Sequence, residues 1–190
     1  MPKVVRPPGT LLCPVPAVMV SCAAPGYRPN IITLAWAGTV CSDPPMIGLG
    51  IRPSRHSYGL IERSGELVVN IPNRSLLQAT DYCGVVSGRE VDKFGTLGLT
   101  AMAGRTVAAP LIGECPINIE VRVRQVIPLG SHSLFLGEIL LIQMDQGILD
   151  ERGRFDPERL APFAYGPGAY WEVGRALAAY GFSAGRSGGA

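Results

Sequence analysis

Hydrophobic and polar positions alternate with period two along several short stretches of the chain, and this alternation predicts strands. Over residues 46–52, Ile47, Leu49 and Ile51 fall on one side while Met46, Gly48, Gly50 and Arg52 fall on the other. Residues 66–71 repeat the pattern with Leu67, Val69 and Ile71, and Pro72 ends it. Residues 117–126 are the cleanest case: Ile117, Ile119, Val121 and Val123 are expected to face a core, and Asn118, Glu120, Arg122 and Arg124 to face water. Residues 30–37 are rich in β-branched and aromatic side chains and read as a strand, and residues 16–22 read as an earlier one. Residues 133–144 are apolar on both faces, which predicts a central or interface strand.

Helical spacing is confined to two places. One run follows Ser54 as far as Arg63 and stops at Gly65; the other covers residues 75–86, with Gly88 as its expected terminator. Residues 99–113 predict a short strand and a turn at Pro110, residues 150–160 a loop with one helical turn, and residues 163–173 an aromatic, glycine-rich segment. Pro7, Pro8 and Gly9 make residues 1–12 an extended arm. The expected organisation is one domain over residues 1–175 and a tail over 176–190. Several strands with only short helices between them argue against a parallel βαβ sheet and for a mainly β, antiparallel barrel, closed or partly closed, although pattern alone does not separate barrel from sandwich.

Composition narrows the function classes. Of 190 residues, 47% are hydrophobic and 17% charged, so a well-buried core or a surface partly hidden in an oligomer is expected. A net charge of +2 makes no case for a nucleic-acid partner. No apolar run approaches the ~20 residues of a membrane helix, and prolines interrupt the N-terminal segment where a signal peptide would need continuity. Five cysteines without a CxxC pair read as reduced thiols, so the expected compartment is cytoplasmic. With two histidines and scattered cysteines, no metal site is expected. The chain carries no P-loop, HExxH or nucleophile elbow. Such scarcity of acid–base groups suggests that a cofactor does the chemistry.

The stretch from Arg52 to Ser57 carries the candidate chemistry. Ser54 is an N-cap candidate, and the first-turn N–H groups behind it favour an anion. The Ser54 and Ser57 hydroxyls and the Arg52 and Arg55 guanidiniums add donors. The alternate glycines of residues 46–52 are expected to leave a shallow floor beside that turn. Together these features suit a planar molecule with a terminal phosphate.

Asn30-Ile-Ile-Thr-Leu-Ala-Trp, Asp43-Pro-Pro-Met, Arg52-x-Ser-x-x-Ser-Tyr-x-Leu-Ile-x-x-Ser-Gly-Glu-Leu-Val-Val-Asn and Ser87-Gly-Arg-x-Val-Asp-Lys-Phe, with the strand carrying His132, resemble the flavin reductase-like family. The resemblance runs in order from about Pro14 to Gly174. It implies an FMN-binding split β-barrel of the Greek-key type with short helices, and a homodimer. It implies non-covalent FMN with its ring against the strand of Asn30, Thr33, Leu34, Ala35, Trp36 and Ala37. Asn30 would serve the pyrimidine edge and Trp36 would pack beside the ring. Arg52, Ser54, Ser57 and Lys93 would hold the phosphate, with the Ser87 loop as a second set of donors. His132 would stand near the flavin as the catalytic candidate, and Tyr165 would cover the ring. Cys41, just past Trp36, reads as a buried free thiol.

The activity implied is an NAD(P)H:flavin oxidoreductase. Hydride passes from NADH or NADPH, bound transiently, to FMN, and electrons pass on to free flavin, a ferric chelate or a partner protein. The alternatives are a non-enzymatic, flavoredoxin-like electron carrier and a barrel that has lost flavin.

Overall fold

The computed structural model describes residues 1–184. Twelve strands appear in chain order: β1 (Val15–Pro16), β2 (Val18–Cys22), β3 (Asn30–Leu34), β4 (Ala37–Ser42), β5 (Pro45–Ile51), β6 (Glu66–Ile71), β7 (Ala101–Met102), β8 (Leu111–Ile112), β9 (Ile117–Pro128), β10 (Ser133–Met144), β11 (Phe163–Gly166) and β12 (Ala169–Glu172). The four α-helices are α1 (His56–Ser64), α2 (Leu77–Val85), α3 (Lys93–Leu97) and α4 (Pro157–Leu160). Seven strands form one curled antiparallel sheet in the order β3-β2-β6-β9-β10-β5-β4, a half-barrel of the split-barrel kind. β11 and β12 form a hairpin that pairs only with β1, and β7 pairs with β8.

Curling of the sheet has a local cause in β10. The β9–β10 register shifts between Leu136 and Gly137 and again between Ile139 and Leu141. At Gly137 an added Cβ would lie 2.3 Å from Val121 Cγ1, so the two strands approach too closely for any side chain. Bulges bend and twist the strand that carries them.

Inside the curl sits an apolar core that includes Val20, Ile32, Leu49, Ile51, Leu60, Ile61, Leu67, Val69, Val121 and Phe135. The period-two sides of β5 and β6 point into it as predicted. The polar side of β9 divides: Arg122 and Arg124 reach solvent as expected, but Asn118 and Glu120 do not. Glu120 is fully buried and Asn118 nearly so. The segment from Gly104 to Ile112 folds across that face, burying Val107, Ala109 and Leu111 against Val68. Asn118 Nδ2 donates to Asn70 Oδ1 (2.8 Å), which also accepts from the Ile112 N–H (3.0 Å). The sheet is thus covered on both faces at β6 and β9, which one-strand alternation cannot reveal.

Two further expectations are corrected. The strand read over residues 30–37 breaks at Ala35 and Trp36, and the chain starts again as β4, an edge strand with four of six residues exposed. The second helix begins as a 3₁₀ turn and ends at Val85 with Val86 as its cap, so Gly88 does not terminate it. Residues 174–181 carry no regular structure, and one 3₁₀ turn, Phe182–Ala184, follows. Residues 185–190 of the expected tail lie outside the described residues. No helix among those described is long and apolar enough to cross a membrane.

Candidate functional site

A cleft runs along the outer side of β3, between α1, α2 and the loop before α3. It has two parts, of about 320 Å³ and about 440 Å³, which meet at Ile32, Arg52 and Arg55. This is the size range of small-molecule sites.

The smaller part is cationic. Its walls carry Arg52, Arg55, Arg89 and Lys93, with Glu90 as the one carboxylate. Helix α1 opens into it, and the capping expectation for Ser54 is corrected here. The N-cap residue is Arg55, in extended conformation, and no side chain caps the first turn. Ser54 sits one residue earlier and contributes its carbonyl, which accepts from Arg89 Nη1 at 3.1 Å. The Tyr58 N–H turns back to the Arg55 carbonyl (3.1 Å), and no side chain takes up the N–H groups before it.

Lys93, at the start of α3, is 2% exposed. Its Nζ donates to the carbonyls of Ile31 (2.7 Å) and Cys83 (2.8 Å). An ammonium has three donors, and neither partner is charged. Burial depresses its pKa, the neighbouring Cys83 and Cys22 thiols oppose this in part, and Arg55 depresses it further. Ser57 is fully buried, and its Oγ accepts from Asn30 Nδ2 at 2.8 Å, which leaves the hydroxyl proton to donate. Gly88 packs on the same asparagine: a Cβ there would lie 2.0 Å from Asn30 Oδ1. Asn30 is thus clamped at the cationic end, next to Ser57. It lines this end of the cleft, whereas Trp36 lines the other. Ser87 accepts from the Arg89 N–H at 3.3 Å and lines this same end.

The larger part is aromatic. Thr33, Leu34, Ala35 and Trp36 supply one wall, His132 and Arg52 another, and Tyr165 and Tyr170 a third. His132 stacks parallel to Trp36, with centroids 6.2 Å apart. Its Nε2 accepts from Arg52 Nε at 3.3 Å, and its Nδ1 pairs with the Ser131 hydroxyl at 2.9 Å. Partial burial and then the Arg52 charge lower its pKa, so the ring is neutral near pH 7. Thr33 turns its hydroxyl away, to the Thr80 carbonyl. Ala37 lies beyond Trp36, outside this part.

The glycine floor predicted in β5 is filled by the protein itself. A Cβ at Gly50 would lie 3.0 Å from Trp36 Cβ, and one at Gly48 3.0 Å from Val40 and 3.3 Å from Leu134. Gly48 admits Val40 of β4 and Leu134 of β10, whereas Gly50 both admits Trp36 and lines the aromatic part of the cleft.

Asp81 was not legible in the sequence. It projects from α2 into the aromatic part and accepts from Tyr170 Oη at 3.0 Å, which raises that phenol to about 12 through burial first and this bond second. A single acid in a short helix carries no signal. Arg89 was legible as part of the Ser87-Gly88-Arg89 block. Cys41 is half-buried on β4 with its thiol 3.4 Å from the Asp43 carbonyl, and lies outside the cleft. No cluster of metal-ligating side chains occurs among the described residues.

Comparison with known proteins agrees with the geometry. The chain is 36% identical to the flavoredoxin of Desulfovibrio vulgaris (Miyazaki F), with a TM-score of 0.89 over 97% of this chain and 100% of that one. It is 26% identical to an FMN-binding protein from Thermus thermophilus solved with bound 1-cyclohex-2-enone, with a TM-score of 0.80 over 93% and 99%. An uncharacterized protein of Archaeoglobus fulgidus is 37% identical over 113 residues, 60% of this chain and 64% of the relative. The chain spans less than two thirds of the length of the first curated relatives it matches, and only 49% of one from Aeropyrum pernix. A family model described as flavin reductase like domain matches residues 11–173. With most of its length matched to that model and a split-barrel sheet to go with it, the chain belongs to the flavin reductase-like family.

Proposed function

We propose that the protein binds FMN along this cleft and acts as a flavin-dependent oxidoreductase. A reduced nicotinamide is the electron donor, and free flavin, a ferric chelate or another small molecule is the acceptor. The observation that carries the reading is the buried, charge-unpaired Lys93 at one end of a cleft whose other end is aromatic.

The donor set fits a phosphate monoester. Lys93 Nζ, the Ser57 hydroxyl and the uncapped first turn of α1 converge on one end, and the exposed Arg55 and Arg89 rim it. Charge-assisted bonds from such donors are roughly twice as strong as neutral ones. Asn30 holds Ser57 in place, and Gly88 holds Asn30. Trp36, His132 and Tyr165 offer flat or edge contacts for a ring at the other end. FMN, when bound, supplies the two-electron chemistry that links nicotinamide to acceptor. His132, neutral and tied to Arg52, lies parallel to Trp36. Its catalytic role would require that its Nε2 leave Arg52.

Similarity to a flavoredoxin favours a second reading, an electron carrier built on the same site. We also read the protein as a homodimer, since Val40, Ile142 and Met144 leave apolar surface exposed on β4 and the end of β10. An obligate interface buries ~2,000 Å² or more. Light scattering tests this.

The test of the main reading has two steps. Purified protein should be yellow and release FMN on heating, and apo-protein should quench FMN fluorescence on titration. Steady-state oxidation of NADH and NADPH with ferric citrate or free flavin then separates enzyme from carrier. A colourless protein that fails to bind added FMN overturns the reading.

A further inference from the structure

A second cavity of about 440 Å³ lies behind the aromatic end of the cleft. Ala35, Trp36 and Tyr165 line both, so the two spaces share a wall. Its other boundary is the N-terminal arm, Gly9 to Cys13, with Val15, Ala37 and Pro167. The lining holds no charged side chain, in contrast to the four cations of the phosphate-sized end.

The arm has no reason of its own to lie there. It carries no regular structure, and among the described residues no hydrogen bond ties residues 1–14 to the rest of the chain. Leu11 and Leu12 stay 72% and 88% exposed. Two large apolar side chains beside an uncharged cavity gain from an apolar occupant that covers them. Continuity with the cleft says what that occupant is. It is the extension of a molecule whose reacting ring lies in the aromatic part, because Trp36 and Tyr165 border both spaces.

We propose that this cavity is the tail pocket of the electron acceptor, and that the acceptor class is a neutral aromatic or quinone ring bearing an apolar substituent. The inference rests on the FMN reading above. For a quinone the reaction balances as reduced nicotinamide plus a proton plus quinone giving oxidised nicotinamide plus hydroquinone, with two electrons passed through FMN. Ferric chelates, which are polar and anionic, gain nothing from an uncharged pocket.

The test uses the full-length FMN-loaded protein and a series of 1,4-benzoquinones with n-alkyl chains of increasing length. Each methylene buried in the pocket should raise kcat/KM about three- to fourfold, until the pocket is full. Ferricyanide reduction should not depend on any apolar substituent. Replacing Leu11→Asp and Leu12→Asp together should flatten the chain-length series while leaving FMN affinity and ferricyanide reduction unchanged. A flat series in the wild-type protein with intact FMN binding and ferricyanide reduction overturns the proposal. A series that rises equally in the doubly substituted protein also overturns it, because the gain would not come from the arm. Failure to bind FMN at all overturns the parent reading, and this one with it.

Discussion

Glu120 and Lys93 are both almost fully buried ions, yet the protein treats them in opposite ways. Glu120 is saturated. It accepts from the N–H groups of Arg105 (3.0 Å), Thr106 (2.6 Å) and Val107 (3.1 Å), from the Thr106 hydroxyl (2.7 Å) and from Gln143 Nε2 (2.8 Å). Burial pushes its carboxyl up, but those donors outweigh burial and hold it below the usual carboxylate range. Lys93 has two neutral carbonyls, a neighbouring arginine and an opening into a cleft. A saturated buried charge is an internal staple, here for the segment that seals the outer face of β9. An ammonium with two neutral partners at a cavity wall is the basis for the proposed anion site.

The largest expected effect comes from breaking the staple. Glu120→Ala leaves several buried donors without an acceptor, each costing about 1–3 kcal/mol, so stability should fall by about 3 kcal/mol or more. Denaturant unfolding measures this, and a loss below about 1 kcal/mol would deny Glu120 its role. The pH dependence has a definite sign. Because the folded-state pKa is depressed, the stabilising contribution is present above the unfolded value of 4.5 and is lost as pH falls through the folded value. Glu120→Gln should remove that acid sensitivity. Neither change should alter FMN affinity in the folded fraction.

Lys93→Met should do the reverse. Loss of a charged hydrogen bond to phosphate is worth about 1.5–3 kcal/mol, or roughly 10- to 150-fold in Kd. Riboflavin, lacking phosphate, should bind the variant and the wild type equally. Fluorescence titration of both ligands decides it, and an equal loss for both would remove Lys93 from the phosphate end. Because Lys93 is buried, this loss should change little with salt.

Ser57→Ala should cost FMN about tenfold, corresponding to ~1.4 kcal/mol. It also releases Asn30 Nδ2, so part of the loss should return when Asn30 is replaced together with Ser57. Non-additivity in that double-mutant cycle measures the coupling.

The smallest effect belongs to the rim. Arg89 is exposed, and Arg89→Ala should weaken FMN by about two- to fivefold, the scale of ~0.5–1 kcal/mol for a solvent-exposed ionic contact. Unlike the Lys93 effect, it should vanish in high salt. An Arg89 loss that equals that of Lys93 would mean the anion sits at the rim.

How far each of these residues could be read in advance follows from the range of the force that places it. Strands β5, β6, β9 and β10 and the end of α1 at Gly65 (φ 69°) were legible, because alternation, proline and glycine act within a few residues. The turn at Arg52–Ser57 was legible as a cluster of cationic and hydroxyl donors because its residue types stand side by side in the chain, while Ser87 and Lys93 were singled out only through the family resemblance. Which hydroxyl is buried and where Asn30 lies were not legible, since both depend on the contact of Asn30 with Ser57 across 27 positions. β4 carried no period because it is a largely exposed edge. Only the tertiary structure decided that Gly48 and Gly50 admit the protein's own Val40 and Trp36, that segment 104–112 buries Glu120, and that Asp81 meets Tyr170 across 89 positions. Alternation along a strand reports that two faces differ, but what covers each face is chosen by distant chain, whose packing gain outweighs the local preference of a carboxylate for water once enough donors close around it.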